Sequence, residues 1–352
     1  LHSQETRYAS LSIQHWRIFS TPHPDNGFDM IRSEAVLPRI GLGTAAIAGL
    51  FKPVSAEEAI DTLQAAWENG VRYFDTAPHY GQGRAERRLG DFLRDKPIGS
   101  YVLSTKVGRL LRPASQYRTE LNMFQLPLPF DQHFDYSYDG VMRSVQDSYQ
   151  RLGLNRLDVL FIHDIGTRTH GPNNEAYVRQ LHEGGWRALD ELRRTGVVSA
   201  IGLGVNEVEI CEALLDDFDL DCILLAGRYT MLDRSAERAL LDRCAQKGVK
   251  LVIGGVFNSG ILATGPRPGA HWDYGEAPEP VLRKVAMMQD ICWQAGTTLA
   301  EAALNFPFRH QNVETVLLGN SDPTLLKRNL TALQHFAVDE HFWIEIDRVA
   351  SS

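Results

Sequence analysis

A chain of 352 residues with 43% hydrophobic and 23% charged side chains has the composition of an ordinary folded protein, and its length fits one large core of alternating strands and helices. The net charge of -8 argues against a nucleic-acid footprint, which needs a concentrated basic surface, and no run reaches the roughly 18 uninterrupted apolar residues of a membrane span. The four cysteines, Cys211, Cys222, Cys244 and Cys292, lack CxxC spacing, so reduced thiols in a soluble cytoplasmic protein are expected rather than disulfides or a zinc site.

Residues 1–29 mix His, Pro, Ser and Asn without apolar periodicity or a signal-peptide core, which predicts an extension ahead of a single domain over 30–352. From residue 36 onward, short β-branched or apolar runs alternate with longer amphipathic segments, the pattern of successive βα units. Strands are predicted near 38–43, 71–75, 101–106, 157–163, 198–204, 221–226, 249–254 and 314–318, and eight such strands favour a closed (β/α)8 TIM barrel. Between them, AEEAIDTLQAAWENG carries Ala59, Leu63, Ala66 and Trp67 on one helical face and Gly70 as its stop. The stretches AERRLGDFLRD, DGVMRSVQDSYQRLG and GGWRALDELRRTG repeat that pattern. An open doubly wound sheet is the alternative, but Gly41-Leu42-Gly43 lacks the third glycine of the dinucleotide fingerprint. Long connections near 107–138, 164–176 and 256–280 follow strands, so in a barrel they overhang the C-terminal face, where sites are built.

Three neighbouring strands end in ionisable groups: VRYFDT in Asp75, YVLSTK in Lys106, and LDVLFIHD in His163 with Asp164 beside it. Tyr80 follows Asp75 by one short turn. Each residue alone has a structural explanation, as a cap, a snorkelling lysine, a packed ring or a core histidine. Together, on consecutive strand ends of a barrel, they converge on one mouth, where a buried lysine and aspartate would each need the other. A tyrosine hydroxyl with an ordinary pKa near 10 is a poor base at neutral pH unless a cation stabilises its phenolate. Lys106 is placed to supply that cation, with Asp75 orienting it, and lowering the tyrosine pKa by about two to three units requires roughly 3–4 kcal/mol of differential interaction. A metal-dependent hydrolase using His79, His163 and Asp164 is a weaker reading, because no HxH pair ends the first strand.

These phrases resemble the aldo-keto reductase superfamily: VRYFDTAPHYG carries its Asp75 and Tyr80, STKVG its Lys106, and FIHD its His163. The resemblance covers about residues 36–335 and implies a barrel, a nicotinamide dinucleotide across the strand ends, a small-molecule substrate and no metal. It places Asn206 of IGLGVN at the nicotinamide carboxamide, and Gly319, Asn320, Asp322 and Asn329 of LLGNSDPTLLKRNL at the adenosine and phosphates. Gly43, Thr44, Gly255, Val256, Phe257 and Tyr229 complete the implied cofactor contacts. The chain departs from many relatives at Ala226, where they carry glutamine, and at Gly254 and Gly255, where they carry a stacking aromatic, which leaves Tyr229 or Phe257 to pack the ring.

Gly319 and Leu325 stand where NADPH-binding relatives have lysine and arginine. Asp322 falls near the 2'-phosphate position, where a carboxylate about 4 Å away repels by roughly 1–4 kcal/mol but accepts a hydrogen bond from a free ribose hydroxyl. NAD is therefore expected over NADP, with Lys327 and Arg328 keeping NADP open. Within the superfamily, LPRIGLGTAAIAGLF, FDTAPHYG, STKVGRLL and GGVFNSGIL resemble the aldose 1-dehydrogenase subgroup, and pyridoxal 4-dehydrogenases share the same phrases. The implied reaction is NAD-dependent oxidation of the anomeric hydroxyl of an aldose such as L-fucose to its lactone. Oxidation of pyridoxal is the alternative, and a non-catalytic NAD(P)-binding regulatory barrel is the reading from another class. His79, Trp272 and Tyr274 are the candidates for substrate contact. Nothing in the sequence fixes an oligomeric state.

Overall fold

Eight short apolar runs form eight parallel strands in the computed structural model, which describes residues 37–351. They are β1 (Ile40–Gly43), β2 (Tyr73–Asp75), β3 (Val102–Val107), β4 (Val159–His163), β5 (Ala200–Val205), β6 (Cys222–Ala226), β7 (Lys250–Gly254) and β8 (Val313–Gly319). The closed order β1-β8-β7-β6-β5-β4-β3-β2 leaves no sheet edge. Every predicted strand is found with its ends moved by no more than two residues. The predicted extension over 1–29 lies outside the described residues.

Strand parity divides the core in two. Tyr73, Val159, Phe161, Ala200, Cys222, Leu224, Val252 and Leu317 fill the barrel interior, with Val102 packed against them. The residues of opposite parity, among them Phe74, Leu103, Leu160, Ile162, Leu203 and Ile253, pack outward against the helices. Continuing the inward parity, Asp75 follows Tyr73, Lys106 follows Val102 and Ser104, and His163 follows Phe161. All three therefore belong to the last inward layer before the mouth. Space for the lysine comes from β5, where a Cβ on Gly204 would lie 3.3 Å from Lys106 Cε and 3.0 Å from Phe161 Cβ.

The helices are α1 (Ala56–Glu68), α2 (Arg84–Leu93), α3 (Tyr138–Leu152), α4 (Trp186–Arg194), α5 (Val208–Leu214), α6 (Leu240–Lys247), α7 (Glu279–Gln294), α8 (Leu299–Asn305), α9 (Pro323–His335) and α10 (Glu340–Ser351). A capping box starts α1: the Ser55 side chain accepts from Glu58 N–H at 3.0 Å, and Ser55 N–H donates to Glu58 Oε2 at 2.7 Å. Ala59, Leu63 and Ala66 are buried and Trp67 half-buried, as the periodicity requires. All four cysteines are buried free thiols. Among the described residues, no helix is long and apolar enough to cross a membrane.

The three long connections contain structure that the sequence pattern does not show. In the first, Arg109–Pro113 pairs antiparallel with Phe130–Phe134, and Glu120–Leu121 pairs with Phe124–Gln125. The second holds the short helices Thr167–His170 and Asn174–Gln180 and a π-helical turn, Leu181–Gly185, that runs into α4. The third carries the hairpin His271–Trp272 with Gly275–Glu276. The two-residue strands and single turns among these are too short to set up a hydrophobic period, so tertiary contacts define them.

Candidate active site

At the mouth, the last inward residues of β2 and β3 meet first. Lys106 Nζ donates to Asp75 Oδ2 at 2.6 Å and to the Thr76 carbonyl at 2.9 Å, and both side chains are almost fully buried. The other carboxylate oxygen, Asp75 Oδ1, accepts from Ser104 Oγ at 2.7 Å, and Ser104 in turn meets Tyr73 OH at 3.1 Å. Burial raises the Asp75 carboxyl against the opposing pull of Lys106 and Ser104. Thr44, at the end of β1, ties itself to the Asp75 carbonyl through both its hydroxyl and its amide, each at 2.9 Å.

Tyr80 stands over this pair, with Lys106 Nζ 4.8 Å from the centre of its ring. The ring of His163 is 6.0 Å from that of Tyr80 and edge-on to it, and His79 lies 5.7 Å from His163. The four residues expected to cluster are thus within one mouth. The electrostatics differ from expectation: burial, Asp75 and Asp164 push the Tyr80 hydroxyl up rather than down. Lys106 is already neutralised by Asp75, so it does not by itself hold a tyrosinate. Burial, Arg109 and Lys106 hold the His163 imidazole well below its ordinary value, and burial and Arg109 do the same for His79. Both rings are therefore neutral.

The residue that sequence reasoning missed is Arg109, the first residue of the hairpin that follows β3. Its guanidinium is buried, with Nη1 donating to Gln132 Oε1 at 2.7 Å and lying 3.3 Å from His79 Nδ1, while Nη2 donates to Asp164 Oδ2. Gln132, from the other strand of the hairpin, donates to His79 Nδ1 at 2.6 Å and to Gln82 Oε1 at 3.0 Å. Asp164 Oδ2 lies 3.4 Å from His163 Nε2. His79, His163 and Asp164 do meet, but a guanidinium occupies the face on which a metal reading would need its cation. Tyr136 OH donates to the His163 carbonyl at 2.7 Å and contacts His170 Nε2 at 2.9 Å, which anchors the end of β4 from outside.

The hairpin 271–276 overhangs the cluster. Asp273 bridges Arg168 at 2.9 Å and Arg228 at 2.8 Å, which come from the loops after β4 and β6. Its neighbour Tyr274 is partly exposed, and its hydroxyl is pushed up by burial and by Asp164, with Asn206 pulling the other way. Tyr274 also raises the Tyr80 hydroxyl, so it belongs to the mouth. Trp272 is half-buried against the core, and its Nε1 finds no partner among the described residues.

The expected cofactor residues divide. Gly43, Asn206, Gly255, Gly319 and Asn320 line the ends of β1, β5, β7 and β8. A Cβ on Gly319 would meet nothing within 4 Å among the described residues, and the buried Asn320 Nδ2 has no partner there. Asn329 Nδ2 faces Asn320 Oδ1 at 3.5 Å from α9. An open strand end with an orphaned amide donor fits an extended polar ligand such as a nicotinamide dinucleotide. Val256 is buried, so it offers backbone only, and Phe257 is half-buried against the core.

The ring of Tyr229 is buried against Phe306, with centroids 5.1 Å apart. Asp322 is exposed and caps α9, its Oδ1 accepting from the amides of Thr324 at 2.8 Å and Leu325 at 3.1 Å.

Comparison with known proteins follows the same outline. The model of the aldo/keto reductase family matches residues 39–351. A pyridoxal 4-dehydrogenase from Microbacterium luteolum is 45% identical over 323 residues, covering 89% of this chain and 94% of that one. A D-threo-aldose 1-dehydrogenase from a Pseudomonas species is 37% identical over 298 residues, covering 83% and 88%. Among solved structures, the holo form of an aldo-keto reductase from Bacillus halodurans superposes with a TM-score of 0.68 at 21% identity, covering 88% and 91%.

Proposed function

Because the chain belongs to the aldo/keto reductase family, we propose that it is an NAD-dependent dehydrogenase oxidising the carbinol carbon of a cyclic hemiacetal to a lactone. The observation that carries this reading is the buried Lys106–Asp75 pair at 2.6 Å beneath Tyr80, with the neutral His163 edge-on to the same ring. The two relatives suggest one chemical class. An aldopyranose bears a hydrogen, a hydroxyl and a ring oxygen on its anomeric carbon, and pyridoxal closes its aldehyde onto the adjacent hydroxymethyl group to give the same arrangement. We rank pyridoxal first, on the higher identity to its dehydrogenase and on the rings of His79 and Tyr274 at the mouth, which suit a flat aromatic substrate. An aldose such as L-fucose is the second reading, favoured by the polar wall of Arg109, Gln132 and Asp164.

In the reaction the hemiacetal C–H bond breaks, the hydroxyl proton leaves, and a carbonyl forms. An oxidised nicotinamide held at the strand ends would supply the hydride acceptor and a positive charge at the mouth. Tyr80 Oη takes the hydroxyl proton, which requires positive charge to offset Asp75 and Asp164. Lys106, held by Asp75 and the Thr76 carbonyl, fixes the cation beneath the ring. His163 positions the reacting oxygen as a neutral donor. Gly43, Asn206, Gly255, Gly319, Asn320 and Asn329 would hold the dinucleotide. Its preference for NAD rests on Asp322, with Gly319 and Leu325 in place of basic side chains.

The test follows the ultraviolet absorbance of reduced nicotinamide with pyridoxal, 5-deoxypyridoxal, L-fucose, D-arabinose and L-galactose, each with NAD and with NADP. Oxidation of pyridoxal or a sugar with NAD, and none of 5-deoxypyridoxal, which cannot form the ring, is expected. Equal turnover of 5-deoxypyridoxal would overturn the hemiacetal reading.

A further inference from the structure

A guanidinium donates hydrogen bonds and never accepts them, so a buried arginine at the centre of a network dictates where every other proton in that network lies. Arg109 is such a centre. Its Nη1 donates to Gln132 Oε1, which leaves Gln132 Nε2 as the amide's donor end. That donor points at His79 Nδ1 at 2.6 Å and Gln82 Oε1 at 3.0 Å, and Arg109 Nη1 approaches the same imidazole nitrogen at 3.3 Å. Two donors converging on one ring nitrogen require a lone pair there, so the His79 proton sits on Nε2.

On the other side, Arg109 Nη2 holds Asp164, whose Oδ2 lies 3.4 Å from His163 Nε2. A carboxylate oxygen facing Nε2 at that distance favours an N–H there over a lone pair, which points to the His163 proton on Nε2. Its Nδ1 is buried with no partner among the described residues, which suits a bare nitrogen better than an N–H.

We propose that Arg109 is a positioning residue that sets the tautomer and orientation of His163 through Asp164, and of His79 through Gln132, so that both imidazoles present an Nε2–H at the mouth. The residue that plays this role comes from the hairpin after β3 rather than from a strand end. Its local geometry is supported from both sides. The guanidinium lies 5.0 Å from the centre of the Phe134 ring, on the opposite strand of the hairpin. Asp164 takes a left-handed backbone angle, with φ of 46°, at the end of β4.

Charge follows from the same placement. The groups facing His163 are Lys106 from β3, Arg109 from the hairpin, Asp164 from its own loop, and His79 and Tyr80 from the loop after β2. Asp75 neutralises Lys106, and Asp164 alone favours an imidazolium. Burial opposes a charge on the ring, and Arg109 offsets the attraction of Asp164, so the ring stays an uncharged donor over the acid range in which a free histidine would protonate. The inference rests on His163 meeting the substrate oxygen, but the state of the ring can be read without any substrate.

The experiment uses the full chain labelled with nitrogen-15 in its histidines, with two-bond proton–nitrogen spectra that report which ring nitrogen is protonated. His163→Gln and His79→Gln provide the assignments. Nε2-protonated, neutral rings at both positions, persisting on the acid side of an ordinary histidine's titration, are expected. In Arg109→Gln, burial still opposes a charge on the ring but the neighbouring cation is gone, so His163 should take up its proton at higher pH than in the native protein, and kcat/KM should fall about 10-fold one pH unit below the new midpoint while changing little at alkaline pH. Arg109→Lys should restore resistance to protonation. A proton on Nδ1 of either ring in the native protein, or an unchanged His163 titration and pH profile in Arg109→Gln, overturns the proposal. Should that variant not fold, Gln132→Leu cuts only the His79 arm: loss of the single His79 tautomer with His163 unaffected is expected, and an unchanged His79 overturns the assignment. An intact tautomer pattern with no turnover on any hemiacetal would instead refute the substrate reading alone.

Discussion

At the ends of β2, β3 and β4, each buried charge has its counter-charge in place: Lys106 lies 2.6 Å from Asp75, and Arg109 is hydrogen-bonded to Asp164. At the end of β8 the pattern is the reverse. Asn320 Nδ2 is buried without a partner among the described residues, a side chain at Gly319 would meet nothing, and the nearby carboxylate, Asp322, is exposed. The difference separates two tasks. Groups that stabilise a changing charge must be pre-oriented in a dry environment before substrate arrives, whereas a face that takes a large ligand must leave donors and space for it.

The satisfied side is the easier to break. Tyr80→Phe should lower kcat by about 10²–10⁴-fold while dinucleotide affinity, read by quenching of tryptophan fluorescence, stays the same. A small effect on turnover would remove Tyr80 from the chemistry. Lys106→Met strands Asp75 in the interior. Urea unfolding should show a loss of about 3–5 kcal/mol, larger than any single change at the β8 end, with turnover falling too.

His170 sharpens the comparison through pH. Burial holds its imidazole down to about 4. Below the unfolded value near 6.5, the unfolded chain takes up a proton that the folded ring refuses, so stability declines as pH falls from about 6.5 towards 4. The slope from this ring is at most about 1.4 kcal/mol per pH unit. His170→Gln should flatten that part of the curve of melting temperature against pH. An unchanged slope would show that the ring accepts its proton in the folded state.

The smallest effect belongs to the open side. Asp322→Ser keeps an N-cap for α9 but removes the charge, and should shift the ratio of kcat/KM for NADP over NAD upward by about 10-fold, equivalent to about 1.4 kcal/mol. No shift would place the source of cofactor preference elsewhere in the loop.

Much of the fold was legible because its signals are local. Strand runs such as VLFIH and IGLG, the capping box at Ser55, and glycine stops such as Gly70 are set by neighbours in sequence. The grouping of Asp75, Lys106 and His163 was legible for a related reason: strand parity and a closed barrel send alternate residues to one mouth. Arg109 was not legible. It lies in a long connection that reads as loop, and its partners Gln132, Asp164 and His79 are 23, 55 and 30 positions away. The packing of Tyr229 against Phe306 was not legible either, because a sequence records that a ring is near a strand end but not which way the chain turns after it.

The sequence by itself determined the eight-stranded barrel, the identity of the residues on its last inward layer and the absence of basic side chains at Gly319 and Leu325, because periodicity and composition carry that information. Only the tertiary structure decided the ionisation of the site. Burial and the placement of charges from separate loops make Tyr80 a reluctant acid and His163 a neutral donor. Such energies depend on distance and exposure, which no run of residues encodes alone.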